Sequence, residues 1–72
     1  MTYIAQVKDF GGTIRFEDRM KRMQREDRYG GDRWTAFVSV FGRDEVGSGP
    51  TREAAVGDAV LQLPPFLAKH FR

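Results

Sequence analysis

The stretch from residue 34 to residue 63 decides the fold. It reads Trp34-Thr-Ala-Phe-Val-Ser-Val-Phe41, then Gly42-Arg-Asp-Glu-Val-Gly-Ser-Gly-Pro50, then Thr51-Arg-Glu-Ala-Ala-Val-Gly-Asp-Ala-Val-Leu-Gln-Leu63. The first part alternates as a strand does and has apolar side chains on both faces, which is typical of a central strand. The second part predicts a turn over residues 42–44, a short edge strand over 45–48 and a break at Ser48-Gly49-Pro50.

The third part of this stretch predicts an amphipathic helix packed on the sheet. Thr51 is suited to the N-cap, and Glu53 in the first turn complements the helix dipole. The apolar stripe recurs at helical spacing and consists of Val56, Ala59, Val60 and Leu63. Gly57 lies off the stripe, where it would allow close approach of another part of the backbone. Pro64-Pro65 ends the helix and leaves room for one more helical turn.

The N-terminal half is less regular. Residues 2–10 alternate imperfectly and predict a first strand, followed by a turn over 9–12 and a second strand over 13–17 that pairs with the first as a hairpin. Residues 17–29 lack Gly, Pro and β-branched residues, which favours a charged helix. A mobile arm between strands is the alternative for this segment, because so polar a helix is marginal on its own.

Together these patterns predict a single α+β domain over residues 1–72. Its centre would be a small antiparallel sheet of three or four strands. The helix over 51–63 would pack across one face of that sheet. The segment over 17–29 would form a second, charged helix at the periphery.

Composition argues against several classes of function. The 72 residues include no cysteine and one histidine, His70, so no disulfide and no thiolate or histidine-rich metal site is expected. Gly47-Ser48-Gly49 lacks the lysine and the further glycine of a phosphate-binding loop, and we interpret it as a turn. No carboxylate pair lies in the apolar setting that acid–base catalysis needs. We therefore expect no enzyme, no cofactor and no metal.

The sequence also bears on location. The longest apolar run is a few residues, too short to cross a membrane. The N-terminus has neither the basic region nor the apolar region of a signal peptide. Both observations favour a cytoplasmic protein without membrane contact.

The candidate binding residues are mostly basic and lie between residues 15 and 33. They are Arg15, Arg19, Lys21, Arg22, Arg25, Arg28 and Arg33, together with Phe37 on the predicted central strand. The net charge is only +2, so the chain as a whole is not an evident polyanion binder. The basic segment would contact nucleic-acid phosphates or an acidic protein. The alternative is that these residues form a solvated helix face and bind no partner.

Two families resemble the stretch from Trp34 to Leu63. One is the HicB-like antitoxin domain, in which strands lead into a helix capped by Thr with Glu-Ala in its first turn, as Thr51, Glu53 and Ala54 are arranged here. The other is the C-terminal half of double-stranded-RNA-binding domains, which share the order of two strands, Gly-x-Gly and helix. In size and composition the chain also resembles small phage-encoded inhibitors, including anti-CRISPR proteins.

These observations lead to two hypotheses about function. The first is a non-catalytic regulator or inhibitor that binds a protein, or a nucleoprotein complex, of a host system such as CRISPR. It would use residues 15–33 and the outer face of the strand over 34–41. The alternative is a nucleic-acid-binding module that uses the basic segment over 15–33. An exposed sheet edge would also allow a homodimer.

Overall fold

The structure, a computed structural model, describes residues 1–19 and 33–72. Its elements are α1 (Tyr3–Asp9), β1 (Thr13–Asp18), β2 (Trp34–Val40), β3 (Arg43–Gly49), α2 (Arg52–Leu61) and α3 (Pro65–Ala68). The strands form an antiparallel three-stranded sheet in the order β1-β2-β3. The predicted α+β class is confirmed, and so is the central position of the strand that begins at Trp34.

The hairpin between β2 and β3 is tighter than the sequence suggested. Val40 lies opposite Arg43, so the turn consists of Phe41 and Gly42 alone. Both residues have positive φ, 56° and 74°, as a two-residue hairpin of type I′ requires. The predicted turn over 42–44 is therefore wrong in its bounds, because Arg43 and Asp44 already belong to β3.

The core lies between one face of the sheet and α2. The predicted stripe of α2 is buried, and it meets the alternate residues Ala36, Val38 and Val40 of β2. Thr51 caps the helix as predicted: its hydroxyl accepts a hydrogen bond from the backbone N–H of Ala54 at 3.0 Å. Local capping and helical periodicity were enough to predict this layer.

Glycines bring α2 unusually close to β3. A Cβ atom on Gly47 would overlap the backbone of Ala55 and Ala59, and one on Gly49 would lie 2.8 Å from the Cβ of Ala54. Gly47, Ser48 and Gly49 are thus the end of a seven-residue strand and not the turn that their composition suggested. The predicted break comes later, because glycine here serves packing against a helix and not chain reversal.

The predicted first strand over residues 2–10 is a helix, and the predicted hairpin with 13–17 is therefore wrong. The hydroxyl of Thr2 accepts from the N–H of Ala5 at 3.0 Å and caps α1. The carboxylate of Glu53 accepts from the N–H groups of Tyr3 and Ile4 at 2.5 and 3.1 Å. A cap supplied from α2 cannot be read from the N-terminal sequence, which explains the error. The turn after residue 9 is confirmed, but it joins a helix to β1.

Two further contacts hold α1 against the rest of the fold. Gly57 of α2 faces the ring of Tyr3, where an added Cβ would lie 3.2 Å from the ring. The close approach predicted at Gly57 therefore involves a side chain and not a backbone. Gln6 is buried, and its side-chain amide accepts from the N–H of Arg72 at 2.8 Å and donates to the carbonyl of Arg72 at 3.2 Å. Both ends of the described chain meet at α1.

The predicted peripheral helix over 17–29 is only partly tested. Glu17 and Asp18 belong to β1, so no helix begins at residue 17. They pair with Thr35 and Trp34 of β2. Tertiary pairing has overridden the helix propensity of these residues. Residues 20–29 lie outside the described part of the chain, as does the choice between helix and arm.

Candidate binding surface

The sheet has a second face that α2 does not cover. On it lie the side chains that alternate with the core residues: Thr13, Arg15 and Glu17 of β1; Thr35, Phe37 and Ser39 of β2; Asp44, Val46 and Ser48 of β3. We call this set the open face. Its residues are exposed or partly buried, and none belongs to the buried core.

The middle row of the open face is its most apolar part. Arg15 lies opposite Phe37 on β2, which lies opposite Val46 on β3. The guanidinium carbon of Arg15 stands 4.1 Å from the centre of the Phe37 ring, a cation–π distance. Val46 is 50% exposed, although it sits in the middle of a strand. A depression of about 370 Å³ opens beside this row and reaches Ser39 and Asp44.

The charges on the open face are mixed and lean towards negative. Arg15 is its one cation among the described residues, and Glu17 and Asp44 are its two carboxylates. The hydroxyl of Ser39 donates a hydrogen bond to the carboxylate of Asp44, which fixes that group at the end of the depression.

Of the predicted binding residues that the structure describes, Arg15 and Phe37 are in contact on the open face. Arg33 instead pairs with Asp18 across the start of the sheet, with hydrogen bonds of 3.1 and 2.9 Å. Hydrogen bonding to the Asp18 carboxylate, and its negative charge, raise the pKa of Arg33 above its usual value. The backbone N–H of Arg19 donates to the carbonyl of Arg33 at 2.8 Å and extends the ladder. The other predicted residues, Lys21, Arg22, Arg25 and Arg28, lie outside the described part of the chain.

A second arginine–aromatic contact was not predicted. Arg52, the first residue of α2, places its guanidinium 4.5 Å from the Trp34 ring and 5.6 Å from the Phe16 ring. The two rings meet edge to face at 6.2 Å. Arg33 also approaches Trp34, at 5.1 Å. The cluster joins β1, β2 and the start of α2, so no local sequence signal could have found it.

A separate aromatic cluster lies at the end of β2 opposite Trp34. Phe10 and Phe41 have ring centres 5.1 Å apart, and Phe71 lies 5.2 Å from Phe10. His70 lies 5.4 Å from Phe41. These contacts help to hold Phe41 at a positive φ that a bulky residue seldom adopts. His70 therefore packs on aromatic rings.

The outer edge of β3 is partly occupied by side chains of α2. Asp58 accepts a hydrogen bond from the backbone N–H of Ser48 at 3.0 Å. Gln62 donates its side-chain amide to the carbonyl of Val46 at 2.8 Å. These bonds use backbone groups through which another strand would pair, so this edge is protected.

Comparison with known proteins adds no assignment to this geometry. No protein-family model, no curated protein and no solved structure matches the chain. Within residues 1–19 and 33–72, no group of three or more His, Asp or Glu side chains is placed to hold a metal ion. No helix of the same residues is long and apolar enough to cross a membrane.

Proposed function

We propose that the chain is a non-catalytic regulator or inhibitor that binds a protein partner through the open face of its sheet. The observation that supports this proposal best is the middle row of that face. Arg15, Phe37 and Val46 form an apolar strip with one cation, on strands whose opposite face is packed against a helix. Arginine and aromatic side chains are enriched where protein partners bind most tightly.

The chemistry of the open face favours a partner with apolar and basic groups. An apolar side chain of the partner would cover Phe37 and Val46. A lysine or arginine beside it would meet Asp44, whose carboxylate Ser39 already orients. Glu17 adds a further negative charge in the next row.

The class of partner follows from the resemblance to small phage-encoded inhibitors. We infer a host protein or nucleoprotein complex, of which a CRISPR effector is one example. A rigid small domain would act there by occupying a surface that the host complex needs. Such a mode of action requires no active site.

Nucleic-acid binding is the second candidate function, and it would use a different part of the molecule. Arg33, Trp34 and Arg52 gather at the end of the sheet where the basic segment joins it. A ring flanked by guanidinium groups, next to further cations in the sequence, would suit a single strand. This candidate retains the predicted use of residues 15–33.

Affinity capture with two matched variants tests the first proposal. Val46→Lys places a charge in the middle of the open face, and Leu61→Lys places the same charge on α2, where Leu61 is 76% exposed. Proteins captured by each bait from a lysate of the native host would be quantified by mass spectrometry. We expect one protein that is captured in equal amounts by the wild type and by Leu61→Lys. The amount captured by Val46→Lys should be at least tenfold lower.

Retention of every captured protein by Val46→Lys would contradict the open-face proposal. A parallel binding assay with a labelled duplex and a labelled single strand addresses the second candidate. Binding at low salt that fails at physiological salt, and that fails when Arg19, Lys21, Arg22 and Arg25 are changed to Ala, would favour nucleic acid instead.

A further inference from the structure

The two outer edges of the sheet differ in their backbone groups. At β3, Asp58 and Gln62 occupy outward-facing groups of Ser48 and Val46. Within residues 1–19 and 33–72, no such hydrogen bond is made at Ile14 or Phe16 of β1. The described part of the chain therefore protects one edge and leaves these two positions of the other available.

The ladder fixes which groups of β1 face outwards. The N–H of Arg19 donates to the carbonyl of Arg33, so these two residues form a hydrogen-bonded pair of the ladder. In an antiparallel ladder such pairs recur at every second residue. Arg15 and Glu17 therefore bond to β2, whereas Ile14 and Phe16 direct their N–H and C=O groups away from the sheet.

On the open face, the side chains on either side of Phe16 are complementary to themselves. When two copies of β1 run antiparallel with Phe16 opposite Phe16, Arg15 of each copy lies opposite Glu17 of the other. Both pairs lie on the open face, where β1 already displays these side chains. A register centred on Ile14 would place Arg15 opposite Thr13 instead. A register centred on Asp18 would place two carboxylates opposite each other, which is unfavourable.

We propose that β1 pairs with β1 of a second copy, antiparallel and in register about Phe16. The contact is isologous, as a two-fold dimer requires. It joins the two three-stranded sheets into one and makes their open faces continuous. Each Phe16, already packed edge to face on Trp34, then lies beside its symmetry mate. The dimer is independent of the partner proposed above, so either proposal can fail alone.

Charge exchange between two positions tests this contact. Arg15→Glu places two glutamates opposite each other at both ends of the pairing, and Glu17→Arg places two arginines there. The double variant Arg15→Glu/Glu17→Arg restores opposite charges. Arg43→Glu reverses an exposed charge on β3 and serves as the control. Sedimentation equilibrium over micromolar to millimolar concentrations measures the dimer dissociation constant of each, and circular dichroism verifies the fold.

We expect a concentration-dependent dimer for the wild type. Each single reversal should weaken it about tenfold or more, since like charges replace attraction in two cross-strand pairs. The double variant should recover most of the lost affinity, and Arg43→Glu should leave it unchanged. A wild type that stays monomeric at millimolar concentration would overturn the proposal. So would a dimer that the single reversals leave intact, or one that the double variant does not restore.

Discussion

The two faces of the three-stranded sheet carry different kinds of side chain. The packed face has small residues: Gly47 and Ala36 lie opposite each other directly under α2. The open face, one residue along in each strand, has Phe37 opposite Val46 with Arg15 above the ring. A helix needs close approach, and a binding surface needs side chains that project. The alternation of the strand separates the two requirements, so substitutions on one face should leave the other intact.

The largest effect is expected at Gly47, on the packed face. Gly47→Ala places a Cβ into the backbone of Ala55 and Ala59, which cannot move without displacing α2. We predict a loss of about 3 kcal/mol or more in the free energy of unfolding. Ser48→Ala, one residue away on the open face, is the control and should lose less than about 1 kcal/mol. Equal losses in urea unfolding would show that the close contact is absent.

Local signals predicted the packed layer well. The alternation in β2, the cap at Thr51 and the stripe of α2 all depend on neighbours in sequence, and all three are confirmed. The Gly47-Ser48-Gly49 stretch was wrongly predicted as a turn, because its glycines allow the close packing of α2 and do not reverse the chain. The sequence shows that glycines occur here, but it does not show whether a turn or close packing requires them.

Long-range contacts account for most of what the sequence did not predict. α1 depends on the carboxylate of Glu53, 50 residues from the helix end that it caps. Arg15 and Phe37 were both predicted as binding residues, but their contact depends on the strand register. Val46 was not predicted at all, because an isolated valine in a short edge strand carries no signal of exposure.

A moderate effect is expected at Glu53, which joins α1 to α2. Glu53→Ala leaves the N–H groups of Tyr3 and Ile4 without their acceptor. We predict a loss of about 2 kcal/mol, within the range for helix caps and charged hydrogen bonds. Asp9→Ala removes an exposed carboxylate from the other end of α1 and should change little. Hydrogen exchange of the α1 amides would check the cause: their protection should fall in the first variant alone.

A smaller effect is expected at the edge of β3. Gln62→Ala removes the hydrogen bond to the carbonyl of Val46. Because this contact is exposed, we predict a loss of only about 0.5–1 kcal/mol. The neighbouring exposed change Leu61→Ala is the control. If both variants unfold at the same urea concentration as the wild type, the Gln62 contact contributes nothing to stability.

The smallest effect is expected at the ion pair of Arg33 and Asp18. Arg33→Lys keeps the charge but loses the paired geometry. The pair is exposed on the arginine side, so the unfolding midpoint should not change measurably at 0.15 M salt. Asp18 raises the pKa of Arg33 above its usual value. Any stability from the charged Arg33 guanidinium is therefore lost only as the pH rises through the pKa of the folded state, which lies well above 9. The difference between Arg33→Lys and the wild type should therefore be the same at pH 6 and pH 9.

The most direct test of the two-face account uses one substitution at two sites. Val38 is 3% exposed on the packed face, and Val46 is 50% exposed on the open face. Threonine has nearly the shape of valine but adds a hydroxyl, which is costly to bury without a partner. In urea unfolding we predict that Val38→Thr loses about 2 kcal/mol and that Val46→Thr stays within about 0.5 kcal/mol of the wild type. Equal losses would mean that Val46 is also packed in solution, and the open face would then not be available to a partner.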